Sequence, residues 1–106
     1  MEAGRVLRLH FCENDKAGRQ PLWEAIVAKC REMGIAGATV FRGFAGFGEA
    51  GEIHRGTLVT HDQPIVIVII DSADNIDRLR PVVEEMIGTG VAAVSDADVI
   101  RVQKSS

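Results

Sequence analysis

Apolar and polar positions alternate from Arg5 to Cys12: Leu7, Leu9 and Phe11 point one way, and Val6, Arg8, His10 and Cys12 the other. A period of two over that length predicts a strand with one core face. Glu13–Gln20 is a polar connection whose Asp15, Gly18 and Gln20 suit turns. From Pro21 the period lengthens, with Leu22, Ile26, Cys30 and Met33 at helical spacing and Trp23 and Val27 widening the stripe. Pro21 stands at the first helical position, where its missing N–H leaves nothing unpaired, and Gly34 stands where a left-handed cap is expected. Ala38–Ala45 alternates again and predicts a second strand. Glu49–Gln63 has no convincing period, and its Gly56, Thr57, Val59 and Thr60 are poor helix formers in series. It is expected to be a long exposed loop with a ribbon-like tip.

Pro64–Asp71 predicts a third strand of a different kind. Ile65, Ile67 and Ile69 face one way and Val66, Val68 and Ile70 the other, so both faces need cover. Asp71 and Ser72 are capping residues for a second helix, with Asp74 and Asp77 near the positive end of its dipole. Its stripe is Ile76, Leu79, Val83, Met86 and Ile87. Pro81 inside that stripe predicts a kink near Asp77–Pro81, or a helix in two pieces. Gly88-Thr89-Gly90 stops it. Val91–Val94 and Asp98–Val102 are expected as two short extended pieces separated by a turn at Ser95-Asp96, with Gln103–Ser106 frayed. Strand, helix, strand, loop, strand, helix, strand is the βαββαβ order of a ferredoxin-like α+β sandwich, an antiparallel sheet with both helices on one face. Two helices cover one face only, so the other is expected to meet another copy of the chain.

A length of 106 residues predicts one domain, 1–106, with the long loop at about 46–63. The apolar share of 46% and charged share of 25% belong to a folded globular chain. A net charge of −3 argues against broad nucleic-acid binding. The longest aliphatic run, Ile65–Ile70, is far too short for a membrane span, so no membrane insertion is expected. Met-Glu-Ala-Gly-Arg lacks the apolar stretch of a signal peptide. Cys12 and Cys30 have no metal-motif spacing and read as reduced thiols, Cys30 in the core; a cytoplasmic protein is expected.

The chemistry concentrates in Ala38–Arg55. Gly46-Phe-Gly48-Glu-Ala-Gly51 spells G-x-G-x-x-G, and Asp71 lies twenty residues past Gly51. A dinucleotide site needs a helix starting inside that motif and alternating strands and helices, and Glu52–Gln63 is a poor helix. Clustered glycines point instead to positive φ angles or to something approaching the backbone closely. Arg42, just before them, suits either a phosphate or carboxylate clamp or an ion pair at a sheet edge or between subunits. Arg101 on the last strand carries the same two readings. His54 and Arg55 could order the loop around an anion or be solvated loop residues. His10, His54 and His61 lack metal-ligand spacing, so no metal site is expected. No nucleophile stands beside a base, and the chain is expected not to be an enzyme.

Phe41-Arg-Gly-Phe-Ala-Gly-Phe-Gly48, then Ile53-His-Arg55 and the aliphatic strand ending in Asp71, resembles a PII-like bacterial family of unassigned biochemical role. Leu79-Arg-Pro-Val-Val-Glu-Glu-Met-Ile87 is similar to that family's second helix, and the match covers nearly the whole chain. The resemblance implies a homotrimer of ferredoxin-like protomers with the three sheets facing inward. More distantly it implies the PII signalling proteins, which bind adenine nucleotides in clefts between subunits. The regions that contact the ligand there fall on Gly43, Gly46 and Gly48, and on Gly88 and Gly90. No cofactor beyond such a nucleotide is implied. Partners implied are a membrane transporter or channel engaged through the 46–63 loop. The chain has no tyrosine, so a uridylylation switch is not available to it. A divalent-metal-handling trimer, similar to the cation-tolerance proteins of the same fold, is the alternative. A nucleotide-dependent enzyme ranks third.

Overall fold

Strand β1 (Glu2–Cys12) and strand β7 (Pro64–Ser72) lie side by side in the middle of a four-stranded antiparallel sheet. Strand β4 (Ala38–Arg42) closes the β7 side, and strand β8 (Val91–Val99) closes the β1 side. The computed structural model describes residues 1–47, the backbone of 53–55, and residues 62–104. The remaining elements are the two-residue strands β2 (Lys16–Ala17) and β3 (Gln20–Pro21), helix α1 (Leu22–Glu32), strands β5 (Ala45–Phe47) and β6 (Ile53–Arg55), and helix α2 (Ala73–Met86).

Both helices cover the same face of the sheet. Leu7, Leu9, Phe11, Ile65, Ile67 and Ile69 are buried against Leu22, Ile26 and Cys30 of α1 and Ile76, Leu79 and Val83 of α2. This is the α+β, ferredoxin-like arrangement predicted. Among the described residues no helix lies over the opposite face: Val66 and Val68 are half-buried, while Ile70 is 47% exposed and Phe41 of β4 is 54% exposed. Alternation therefore gives β7 one finished face and one unfinished apolar face.

The end of α1 follows its local signals. Gly34 takes φ 74°, its N–H donates to the Arg31 carbonyl, and the Ile35 N–H donates to the Cys30 carbonyl at 3.0 Å. That pair of bonds is a Schellman motif, closed by the buried Ile35. Burial pushes the Cys30 thiol up to about 11, against a smaller opposing backbone hydrogen bond, so it stays a neutral core group. Helix α2 starts at Ser72, whose hydroxyl accepts from the Asn75 N–H at 3.2 Å.

Four expectations need correcting. Pro21 is the residue before the first helical one and also pairs with Lys16, so the polar connection contains a small ribbon around Gly18, which has φ 63°. Ala38–Ala45 is not one strand, because pairing with β7 ends at Arg42 and the chain restarts as β5. Helix α2 is one element through Pro81, whose ring sits on the exposed side, so the missing N–H leaves only a solvent-side carbonyl without its helical partner. Finally, Val91–Val99 is one strand: Ser95 and Asp96 pair with Val6 and Arg5 instead of turning. Asp96 accepts from the Arg5 guanidinium at 3.3 Å, an interaction that a local turn preference cannot anticipate.

One buried carboxylate closes the end of the sheet where β1 begins and β7 ends. Asp71, 1% exposed, accepts from the Ala36 N–H at 2.9 Å, the Ser72 N–H at 2.7 Å and the Arg101 guanidinium at 3.1 Å. Arg101 also reaches Glu2 at 3.0 Å. Burial acts to raise the Asp71 carboxyl, but these donors, with Asn75, outweigh it and hold the group below its ordinary value. A depressed folded-state value contributes stability that is present at neutral pH and lost as pH falls below about 4 through the folded value. Asp71→Asn is expected to cost roughly 1–3 kcal/mol at pH 7 and to flatten that acid limb. Urea unfolding from pH 7 to pH 2 checks both. An unchanged acid limb in the variant would show that Asp71 is not the group responsible.

Candidate functional site

The other end of the sheet is where β1 and β4 end and β7 and β8 begin. In the sheet register, Cys12 lies opposite Pro64, Arg42 opposite Ile65, and His10 opposite Val91. Here the chain leaves the sheet for the 46–63 segment and returns from it. The exit is tied down by the Gly43 N–H donating to the Pro64 carbonyl at 2.6 Å. The return is tied by the Glu13 N–H donating to the Gln63 carbonyl at 2.8 Å and the Asn14 N–H to Asp62 Oδ1 at 2.9 Å. Arg42 Nε bonds Glu13 Oε2 at 3.0 Å, linking the last residue of β4 to the first residue after β1.

Arg42 is thus ion-paired within its own chain, to Glu13. Its side chain is 59% exposed while its Nε is engaged by Glu13. The partner oxygen Glu13 Oε1 is buried and has no hydrogen-bond partner among the described residues. The pair is a fixed, half-used cation at the mouth of the loop.

The glycines separate into two kinds. A Cβ on Gly43 would come within 2.5 Å of the Pro64 ring, and one on Gly90 would overlap the His10 carbonyl oxygen. Both are required by the chain's own packing. At Gly88 a Cβ would meet nothing within 4 Å, and at Gly46 only Pro64 at 3.6 Å. None of these four takes a positive φ. Gly46 sits in a hairpin where Ala45, Gly46 and Phe47 pair with Arg55, His54 and Ile53, which brings the backbones of His54 and Arg55 to this end. Gly48 and the side chains of His54 and Arg55 lie outside the described residues.

Gly88 and Gly90 line a shallow hollow of about 170 Å³ with Glu84, Ile87, Val91 and Ala92. Ligand pockets run to roughly 300 Å³ and more, so this hollow is part of a site at most. The loop base stands on β4 and the hollow on β8, at opposite edges of one sheet end. Three strand spacings of about 4.8 Å put them some 14 Å apart.

Arg101 is elsewhere. It lies at the far end of the sheet, held by Asp71 and Glu2, and within one chain it does not join the other predicted residues. A larger hollow of about 440 Å³ opens beside it, between Ala3, Gly4, Arg5, Ala73, Asp96 and Asp98. Its cation, Arg5, is already bound by Asp77 and Asp96, so it offers an anion little. Reading the sequence missed Glu13, Gln63 and Pro64 at the loop base. Gln63 is 3% exposed, and a polar residue abutting a strand that is apolar on both faces is the signal that could have found it.

An antiparallel β4-β7-β1-β8 sheet with both helices on one face and a long connection after β4 is a ferredoxin-like α+β fold. The chain belongs to the DUF190 family, described as Uncharacterized ACR, whose pattern matches residues 4–99. It is 32% identical over 100 residues to a UPF0166 protein of Aquifex aeolicus, covering 91% of this chain and 92% of that one. A UPF0166 protein of Methanocaldococcus jannaschii is 28% identical over 106 residues, covering 95% of each. Among solved structures, the chain is similar to CPII, a nitrogen regulatory PII-like protein from Thiomonas intermedia K12 bound to ADP, AMP and bicarbonate. That match has a TM-score of 0.67 at 21% identity, over 93% of this chain and 90% of that one. It is also similar to the divalent ion tolerance protein CutA1 of Ehrlichia chaffeensis, with a TM-score of 0.61 at 14% identity, over 97% and 87% of the two chains. At these identities the solved structures establish the fold.

The glycine geometry makes a prediction. Gly90→Ala is expected to lower stability by about 1–3 kcal/mol through overpacking, and Gly88→Ala to change it by less than about 0.5 kcal/mol. Chemical denaturation of both variants checks this. Equal effects at the two positions would contradict the division.

Proposed function

We propose that the protein is a non-enzymatic PII-like regulatory protein that senses a small anionic ligand, an adenine nucleotide by preference, in clefts between the subunits of a homotrimer. The observation that carries this reading is the split site. Arg42 with Gly43 and Gly46 stands at one edge of a sheet end, and the Gly88–Gly90 hollow, too small alone, stands at the other edge. A ring in which the β4 edge of one copy meets the β8 edge of the next joins the two halves. The unfinished face of β7 supports the ring, because inward-facing sheets would bury it.

The solvent-facing edge of Arg42 would hold a phosphate, with backbone N–H groups of the glycine stretch supplying further donors. That CPII, of the same fold, is bound to ADP, AMP and bicarbonate supports this choice of ligand. Segment 46–63 would pass the bound state to a partner, for which a membrane transporter or channel is the proposed class, in the cytoplasm. Among the described residues no helix is long and apolar enough to cross a membrane. For the metal-handling alternative, no group of three His, Cys, Asp or Glu side chains suited to a metal occurs among the described residues.

A thermal-shift series with ADP, ATP, AMP and bicarbonate, each with and without Mg²⁺, tests the reading. Ligand at 100 times its dissociation constant adds roughly 2.7 kcal/mol per site. Arg42→Ala is expected to weaken nucleotide binding roughly tenfold to a hundredfold, the loss of one charge-assisted bond, and to leave the solution mass unchanged. A flat series for the unaltered protein would sink the nucleotide reading. Unchanged affinity in the variant would remove Arg42 from the site.

A further inference from the structure

The open sheet face carries one permanent cation at its centre. Arg8 lies on β1, an interior strand, opposite Val68, the midpoint of β7, and opposite Ala93 of β8. Its neighbours along the same face are Val6 and His10. Among the described residues Arg8 makes no ion pair and no side-chain hydrogen bond. The open-face positions of the four strands carry no carboxylate near it. The one on that face by register, Glu2, is six positions along β1, about 20 Å away, and is held by Arg101.

An exposed arginine at a sheet edge is simply solvated. At the centre of a face that must be covered, it is a buried charge needing a partner. Resting on the trimer proposed above, inward-facing sheets would direct three Arg8 side chains toward the three-fold axis. His10, one step toward the loop end, adds a ring nitrogen from each copy. The assembly would then enclose three positive charges, and the one carboxylate on each of these faces, Glu2, lies at the far end of β1 and is held by Arg101.

We propose that a small inorganic oxyanion of the phosphate or sulfate type binds on the trimer axis between the three Arg8 side chains. Three guanidinium forks around one axis match three equivalent oxygens of a tetrahedral anion, and each fork donates two N–H groups to them. This site is distinct from the nucleotide cleft: Arg8 sits at mid-sheet, four positions before Cys12 and the loop end.

The test uses the full chain with inorganic phosphate as the probe and chloride at matched ionic strength as the control. Light scattering reports the mass, and thermal unfolding reports the midpoint. The unaltered protein is expected to be a trimer whose midpoint rises by about 5 °C in millimolar phosphate and not in chloride. Arg8→Leu is expected to stay trimeric, unfold at a higher midpoint without phosphate because the buried charge is gone, and lose the phosphate response. A phosphate shift that persists in Arg8→Leu would mean an adventitious ion only and would overturn the site. Dissociation of the Arg8→Leu trimer, with normal circular dichroism, would overturn it too, since Arg8 would then be holding the subunits together by a direct contact and not through an anion. A trimer with no phosphate response overturns the anion while leaving the assembly standing, whereas a monomeric unaltered protein overturns both.

Discussion

Everything in this fold follows from covering strand β7. Its inward face, Ile65, Ile67 and Ile69, is closed by α1 and α2, and that closure fixes the register of the whole sheet. A one-residue slip would move every one of those side chains to the other face. Its outward face, Val66, Val68 and Ile70, is nearly as apolar, and among the described residues no helix closes it. Both helices of the described residues lie on the inward side. The homotrimer proposed above would supply the missing layer from another copy.

The two ends of the sheet are built for different purposes. At one, a buried Asp71 gathers the segment after α1, the start of α2 and the C-terminal stretch through Arg101, with Glu2 joining from β1. Its polar groups are satisfied within the chain. At the other end, the backbone is pinned by short hydrogen bonds at Gly43 and Glu13, while Arg42 is 59% exposed and, among the described residues, the buried Glu13 Oε1 has no hydrogen-bond partner. Rigid anchoring of a long insertion beside unspent polar capacity suits a site that is completed from outside.

Much of this was legible in the sequence where the cause is local. The Pro21 and Gly34 boundaries of α1, the Ser72 cap of α2 and the alternation of β1 and β7 all depend on neighbours within a few residues. What misled was non-local. Ser95-Asp96 carries turn chemistry, and only pairing with Val6 and Arg5 keeps it extended. Arg101 looked available until Asp71, far away in sequence, was placed beside it. Arg42 stood out as a cation with two readings, but its partner Glu13 comes from another strand's end. Glycine density marked the loop base without distinguishing Gly43 and Gly90, which the fold requires, from Gly46 and Gly88, which it leaves open.

If the ligand binds between copies, it must also hold them together, because binding and assembly are thermodynamically linked. The most direct test is sedimentation across a dilution series, with and without ADP. The account predicts a trimer whose dissociation moves to lower protein concentration when ADP is present. ADP that binds without changing that dissociation, or a chain that is monomeric throughout, would contradict a site shared between subunits.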